Sequence, residues 1–135
     1  MSALGHTYRI RASNTQNQAI TVVVKARAWK FASDGSLTFA SESTPISSTS
    51  LSASTGTTTS STIDNSSDKY LGMNITASFT AASATNGSGT VALFLERSTD
   101  GGTTWPTAGQ GVMIGAYTVT AANGTSTILV NFTVR

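Results

Sequence analysis

The sequence predicts an all-β protein, a single β-sandwich or jelly-roll-like domain over residues 1–135. Three observations carry this. Apolar and polar residues alternate with period two in most extended segments, the mark of a strand with one buried face. Turn residues (Gly, Asn, Asp) punctuate those segments roughly every dozen residues. No window holds a helical period. A chain of 135 residues can bury about two thirds of its unfolded surface, enough for one core.

The elements follow in chain order. A short strand is expected from Tyr8 to Ala12. In AITVVVKARAWKF, Ile20, Val22, Val24, Ala26 and Ala28 share one face, and Thr21, Val23, Lys25, Arg27 and Trp29 the other. Asp34-Gly35, between Phe31 and Leu37, signals a tight hairpin into a short strand from Ser36 to Ala40. In KYLGMNITASF the odd positions are apolar, and their even neighbours are mostly small or polar. VALFLERS is apolar on both faces up to Glu96, so both should be covered. GVMIGAYTV and TSTILVNFTV complete the set, divided by turns at Asn86-Gly87, Asp100-Gly101-Gly102 and Asn123-Gly124. The shared phases predict a core of Leu71, Met73, Ile75, Phe79, Val91, Leu93, Leu95, Ile128, Val130 and Phe132.

Two segments lack a place in this scheme. Residues 1–8 read as an N-terminal arm, and residues 41–62 as a low-complexity extended loop with only Ile46 and Leu51 as sizeable apolar anchors. A stretch this long without structure is either a flexible insertion or an arm that orders against a neighbouring subunit.

Composition narrows the function classes. Charged residues make up 10% of the chain and the net charge is +2, while Ser and Thr supply about a third of all residues. With no cysteine, thiolate metal sites and disulfides are excluded. The first residues lack the apolar stretch of a secretory signal, and no run reaches the roughly 18 apolar residues that cross a bilayer. These features predict a protein made in a cytoplasm, with no membrane partner.

Catalytic groups are too few for an enzyme. His6 is the sole histidine, so a histidine-based nucleophilic site or a zinc site is hard to assemble. The carboxylates are Asp34, Glu42, Asp64, Asp68, Glu96 and Asp100. Asp34 and Asp100 sit in turns, and Glu96 should pair across strands. Asp64 and Asp68 could hold Ca²⁺ together with backbone carbonyls, though a plain polar loop fits them better. No catalytic residue, cofactor or metal ligand is therefore assigned. Arg9, Arg11, Lys25, Arg27 and Lys30 all precede the first acidic residue and form a candidate docking face for an acidic protein surface. Nucleic-acid binding would need more basic charge interleaved with aromatics, so none is expected.

One motif stands out: Ser98-Thr99-Asp100-Gly101-Gly102-Thr103-Thr104-Trp105. It resembles the Asp-box of sialidases and other propeller glycosidases at Ser98, Asp100, Gly102, Thr104 and Trp105. The resemblance implies a structural turn, with the Asp side chain bonding amides of its own loop. A propeller needs several copies, and this chain has one.

The wider stretch VALFLERSTDGGTTWP, set in a hydroxyl-rich, weakly charged, cysteine-free chain, resembles small bacteriophage virion proteins: head decoration (cement) proteins and tail or fibre accessory proteins. That resemblance implies a non-catalytic virion protein, first of all a capsid decoration protein with a tail or fibre accessory protein as the alternative, a homo-oligomer with a trimer favoured, bound to the major capsid protein or other virion subunits. A carbohydrate-binding or adhesin module, with Trp29, Trp105 and Tyr117 as stacking residues, is the alternative from another class.

Overall fold

The computed structural model describes residues 4–81, 88–120 and 126–135, with the backbone alone for 126–128. Its strands are β1 (Thr7–Asn14), β2 (Ile20–Phe31), β3 (Leu37–Phe39), β4 (Ser43–Leu51), β5 (Thr57–Thr59), β6 (Ile63–Asp64), β7 (Gly72–Ala81), β8 (Val91–Ser98), β9 (Val112–Tyr117) and β10 (Ser126–Val134). They form two antiparallel five-stranded sheets. In one, β1 pairs with β8 on one side and with β5 and β6 in tandem on the other, and β8 continues to β9. In the other, β2 pairs with β7 on one side and with β3 and β4 in tandem on the other, and β7 continues to β10. The protein is an all-β sandwich.

Period-two alternation builds the core. Tyr8, Ile10 and Ala12 of β1 and Val91, Leu93 and Leu95 of β8 face Ile20, Val22 and Val24 of β2 and Met73, Ile75, Ala77 and Phe79 of β7, all buried in one cluster. The opposite faces of β2 and β7 carry Thr21, Lys25, Arg27, Asn74 and Thr76 to the outside. On β8 both faces are covered, because the segment after Ser98 folds back over Phe94 and Glu96. Of the expected core, Met73, Ile75, Phe79, Val91, Leu93 and Leu95 are buried. Leu71 is only half-buried, since it lies one residue before β7, at the end of the sheet. Val130 and Phe132 are partly buried, because β10 is an edge strand, and the Ile128 side chain lies outside the described residues.

The segment 41–62 is not an extended loop. It contributes β4 and β5, one to each sheet, and buries Ile46 and Leu51 to 3% and 1% exposure. Thr fits a pleated surface through its branched Cβ, and an edge strand needs few apolar anchors. Pro45 is accommodated where the β2–β4 pairing shifts register on either side of Val24, the kind of irregularity that tolerates a missing N–H. Residues 1–8 likewise do not form a free arm: Leu4 and Tyr8 are buried and β1 begins at Thr7, while residues 1–3 lie outside the described residues.

Buried amides close one end of the sandwich. Asn14 Nδ2 donates to the carbonyls of Gln18, Leu51 and Ser52, tying the turn after β1 to the end of β4. Gln16 Nε2 donates to Val119 O while Gln16 Oε1 accepts from Val119 N, and Gln18 Nε2 donates to the same carbonyl. A glutamine side chain thus does for Val119 what a neighbouring strand would do. All three amides are buried and paired, as polar groups in a core must be.

Two outcomes follow for stability. Leu93→Ala should cost about 2–5 kcal/mol in urea unfolding, the range for a buried large-to-small change. Deleting 41–62 should abolish the cooperative unfolding transition, because the deletion strips one edge from β2 and another from β1.

Candidate interaction face

The hairpin of β2 and β3 projects an aromatic cluster from the outer face of its sheet. The turn 32–36 is closed by Ala32 N–H donating to Ser36 O (2.8 Å), and Gly35 sits at φ 82°. Asp34 Oδ1 accepts from the Ser36 amide and hydroxyl, which holds its carboxyl below the usual carboxylate range. This turn sets Trp29 opposite Phe39 and Phe31 opposite Leu37. All four side chains share the outer phase of β2. Phe31, Leu37 and Phe39 are 57%, 49% and 44% exposed.

Trp29 is laid down by Gly72, its partner across the β2–β7 ladder. A Cβ on Gly72 would overlap the indole ring and the Val134 carbonyl, so the ring lies across β7 toward β10. Phe31 meets this indole edge-on, with centroids 6.1 Å apart at 72°. Between them and β10 lies a shallow cleft of about 380 Å³, completed by Leu37, Phe39, Asn74, Thr133 and Arg135. The Arg27 guanidinium lies 5.3 Å from the Phe39 ring, and its Nε donates to Ala40 O. The Arg135 and Arg27 guanidiniums border the face, and no Asp or Glu is among the described residues lining the cleft.

The five basic residues expected to form one docking face do not come together. Arg9 and Arg11 lie on β1, in the other sheet, with outward phase there. Both converge on Glu96 of β8, which is fully buried: Arg9 Nε is 2.6 Å from Glu96 Oε2 and Arg11 Nη1 is 3.7 Å from Oε1. Lys25 pairs with Glu42 at the surface (3.1 Å). Lys30 Nζ donates to Asp68 O and lies 5.0 Å from the Tyr70 ring. Alternation along β2 placed Lys25 and Arg27 on one face, but it carried no information on which sheet would hold each strand. Only Arg27 borders the aromatic face.

The turn 98–105 is a closed hydrogen-bond system. Ser98 Oγ donates to Asp100 Oδ1 (2.6 Å) and accepts from Gly102 N. Asp100 also accepts from the amides of Thr103 and Thr104 and from the Thr104 hydroxyl. Gly101 and Gly102 adopt φ 73° and 97°, which favour glycine. Trp105 Nε1 donates to Gly102 O, and its ring lies 4.2 Å from the Arg9 guanidinium. It thus packs on the arginine that pairs with Glu96. The Ser98 hydroxyl, then the Thr104 hydroxyl and the loop amides, hold the Asp100 carboxyl well below the ordinary range.

The remaining candidates are dispersed. His6 lines a cleft of about 570 Å³ with Thr7, Asp64, Arg97 and Ser98. Asp64 accepts from Ser66 N, and no three His, Asp or Glu side chains cluster among the described residues. Trp29, Trp105 and Tyr117 lie in three separate places: across β7, over Arg9, and against Phe79 and Phe132. The aromatic face itself escaped the sequence reading. Its signal was present, because Trp29 and Phe31 continue the outward phase of Lys25 and Arg27, where polar residues belong.

Two changes test the opposite side of the sandwich. Glu96→Ala should destabilise by about 3–5 kcal/mol in chemical denaturation, since it leaves Arg9 and Arg11 without their shared buried counter-charge. Asp100→Ala should lower Tm at neutral pH. Its carboxyl is depressed in the folded state, so its contribution is present above the unfolded pKa of about 4 and fades as pH falls below it. The Tm gap between wild type and variant should therefore narrow on acidification. A gap that is constant or widens would overturn this account of the turn.

A scan against protein-family models gives no match, and neither the curated proteins nor the solved structures contain a match to this chain.

Proposed function

We propose that this chain is a non-catalytic bacteriophage virion structural protein, a head decoration (cement) subunit that docks on the major capsid protein or another virion subunit. The observation that carries a binding role is the exposed cluster of Phe31, Leu37 and Phe39 around Trp29. Contiguous exposed aromatics are costly to leave in water, and a partner that buries them gains what solvent exposure forfeits. The bordering Arg27 and Arg135 favour a partner whose apolar segment is flanked by carboxylates. The virion assignment itself rests on the resemblance of the Thr90–Pro106 stretch and of the hydroxyl-rich composition.

Particle addition tests this reading. Purified virions from a lysate of the source phage should contain the chain at fixed stoichiometry by quantitative mass spectrometry. Recombinant protein should add back to particles lacking it. The double variant Phe31→Asp/Leu37→Asp should fold with unchanged Tm and fail to add. Absence from the particles, with binding to a glycan array lost on Trp29→Ala, would overturn the virion reading in favour of a carbohydrate-binding module.

A further inference from the structure

We infer that β10 is the seam of a two-fold homodimer, pairing edge to edge with β10 of a second copy. The sandwich is open on one flank. The inward residues of β7 are buried, yet Val130, Phe132 and Val134, inward on the neighbouring β10, are only partly so. On the facing edge, Val112 and Tyr117 pair with the inward Leu95 and Val91 but stay exposed. A Cβ on Gly115 would overlap the Phe132 ring, so the two edges already touch and cannot close further to cover these groups.

The β10 edge also lacks protection. Soluble sheets guard their edges with Lys, Pro, bulges or short strands. β10 has nine consecutive pairs with β7, no register shift, and no Pro, Gly or charge; among the described residues it pairs with β7 alone. β9, by contrast, carries a register shift between Leu93 and Phe94 of its partner, a device that turns an edge away. Leu129 stands outward on β10 at 71% exposure.

The lack of charge along this flank suits a second copy as the occupant. From Gly101 to Val134 the chain has no Lys, Arg, Asp or Glu. A self-complementary contact must not set a charge against its own image, and this flank meets that condition. Antiparallel self-pairing centred on a residue of β10 sets even positions opposite even and odd opposite odd. Centred on Asn131, it places Val130 opposite Phe132, Leu129 opposite Thr133, and the two Asn131 amides together. Inward groups then meet inward groups, so the five-stranded sheet doubles with a continuous apolar inner face. Each Arg135 falls opposite a Thr127, with the two arginines at opposite ends of the seam. This is a two-fold contact, where the resemblance implied a three-fold one. It leaves β3, on the far edge of the sheet, uncovered, and it stands independently of the virion reading.

Sedimentation equilibrium of the full chain tests it. Wild type should be a dimer at micromolar concentration, and Leu129→Lys/Asn131→Lys a monomer with the same Tm and circular dichroism. Because the chain has no cysteine, single Cys substitutions at Leu129, Asn131 and Thr133 report the seam directly. One of the three should form a disulfide-linked dimer on mild oxidation, well above a Thr21→Cys control on the outer face of β2. A monomeric wild type, a trimer unaffected by the lysine pair, or equal cross-linking at Thr21 would overturn the seam. None of these outcomes bears on particle addition, so the two readings fail separately.

Discussion

The register of β2 is the constraint on which the sandwich depends. This strand pairs from Ile20 to Trp29 with β7 on one edge, and with β4 and then β3 on the other. Its even positions supply Ile20, Val22, Val24 and Ala26 to the core, and its odd positions carry Lys25, Arg27, Trp29 and Phe31 outside. A slip of one residue would exchange the two sets, sending aromatics and cations inward. Both the buried cluster and the aromatic face are therefore consequences of one phase, and Gly72 locks that phase by accepting the Trp29 indole where a Cβ would collide.

The all-β class was legible because period two is a strong signal wherever apolar residues contrast with polar ones. It failed where that contrast is weak. In STPISSTSL a strand shows only two apolar anchors, and its remaining side chains are small and mostly hydroxyl-bearing, so it reads like a linker although Thr suits a pleated sheet. The same limit explains the basic residues. Phase put Lys25 and Arg27 on one face of their strand, and the grouping with Arg9 and Arg11 rested on sequence order alone; only long-range pairing decides that β1 and β2 belong to different layers. Glu96 was legible as a cross-strand partner; its complete burial was not, because the covering loop is folded by bonds local to Ser98 and Asp100.

The two outer faces solve opposite problems. One sheet hides charge: Glu96 lies between two guanidiniums, with Trp105 stacked on one of them. Among the described residues, Glu96 Oε1 and Arg11 Nε make no hydrogen bond, so this group depends on its ion pairs and on exclusion of water rather than on a full set of partners. The other sheet displays apolar surface, with Arg27 over Phe39. The Ser98–Trp105 turn belongs to the first face, which explains how an elaborate loop can serve the fold with no substrate in view.

The bonds between Gln16 and Val119 carry a consequence for chain length. Both main-chain groups of Val119 end on side-chain amides, not on a strand whose ladder would have to run onward. The β8–β9 ladder ends at Tyr117, two residues before Val119, and β10 takes its alignment from β7 among the described residues. A peptide spliced directly after residue 120 would therefore follow closely on a residue held by side-chain amides, with no strand ladder immediately on its N-terminal side to throw out of register.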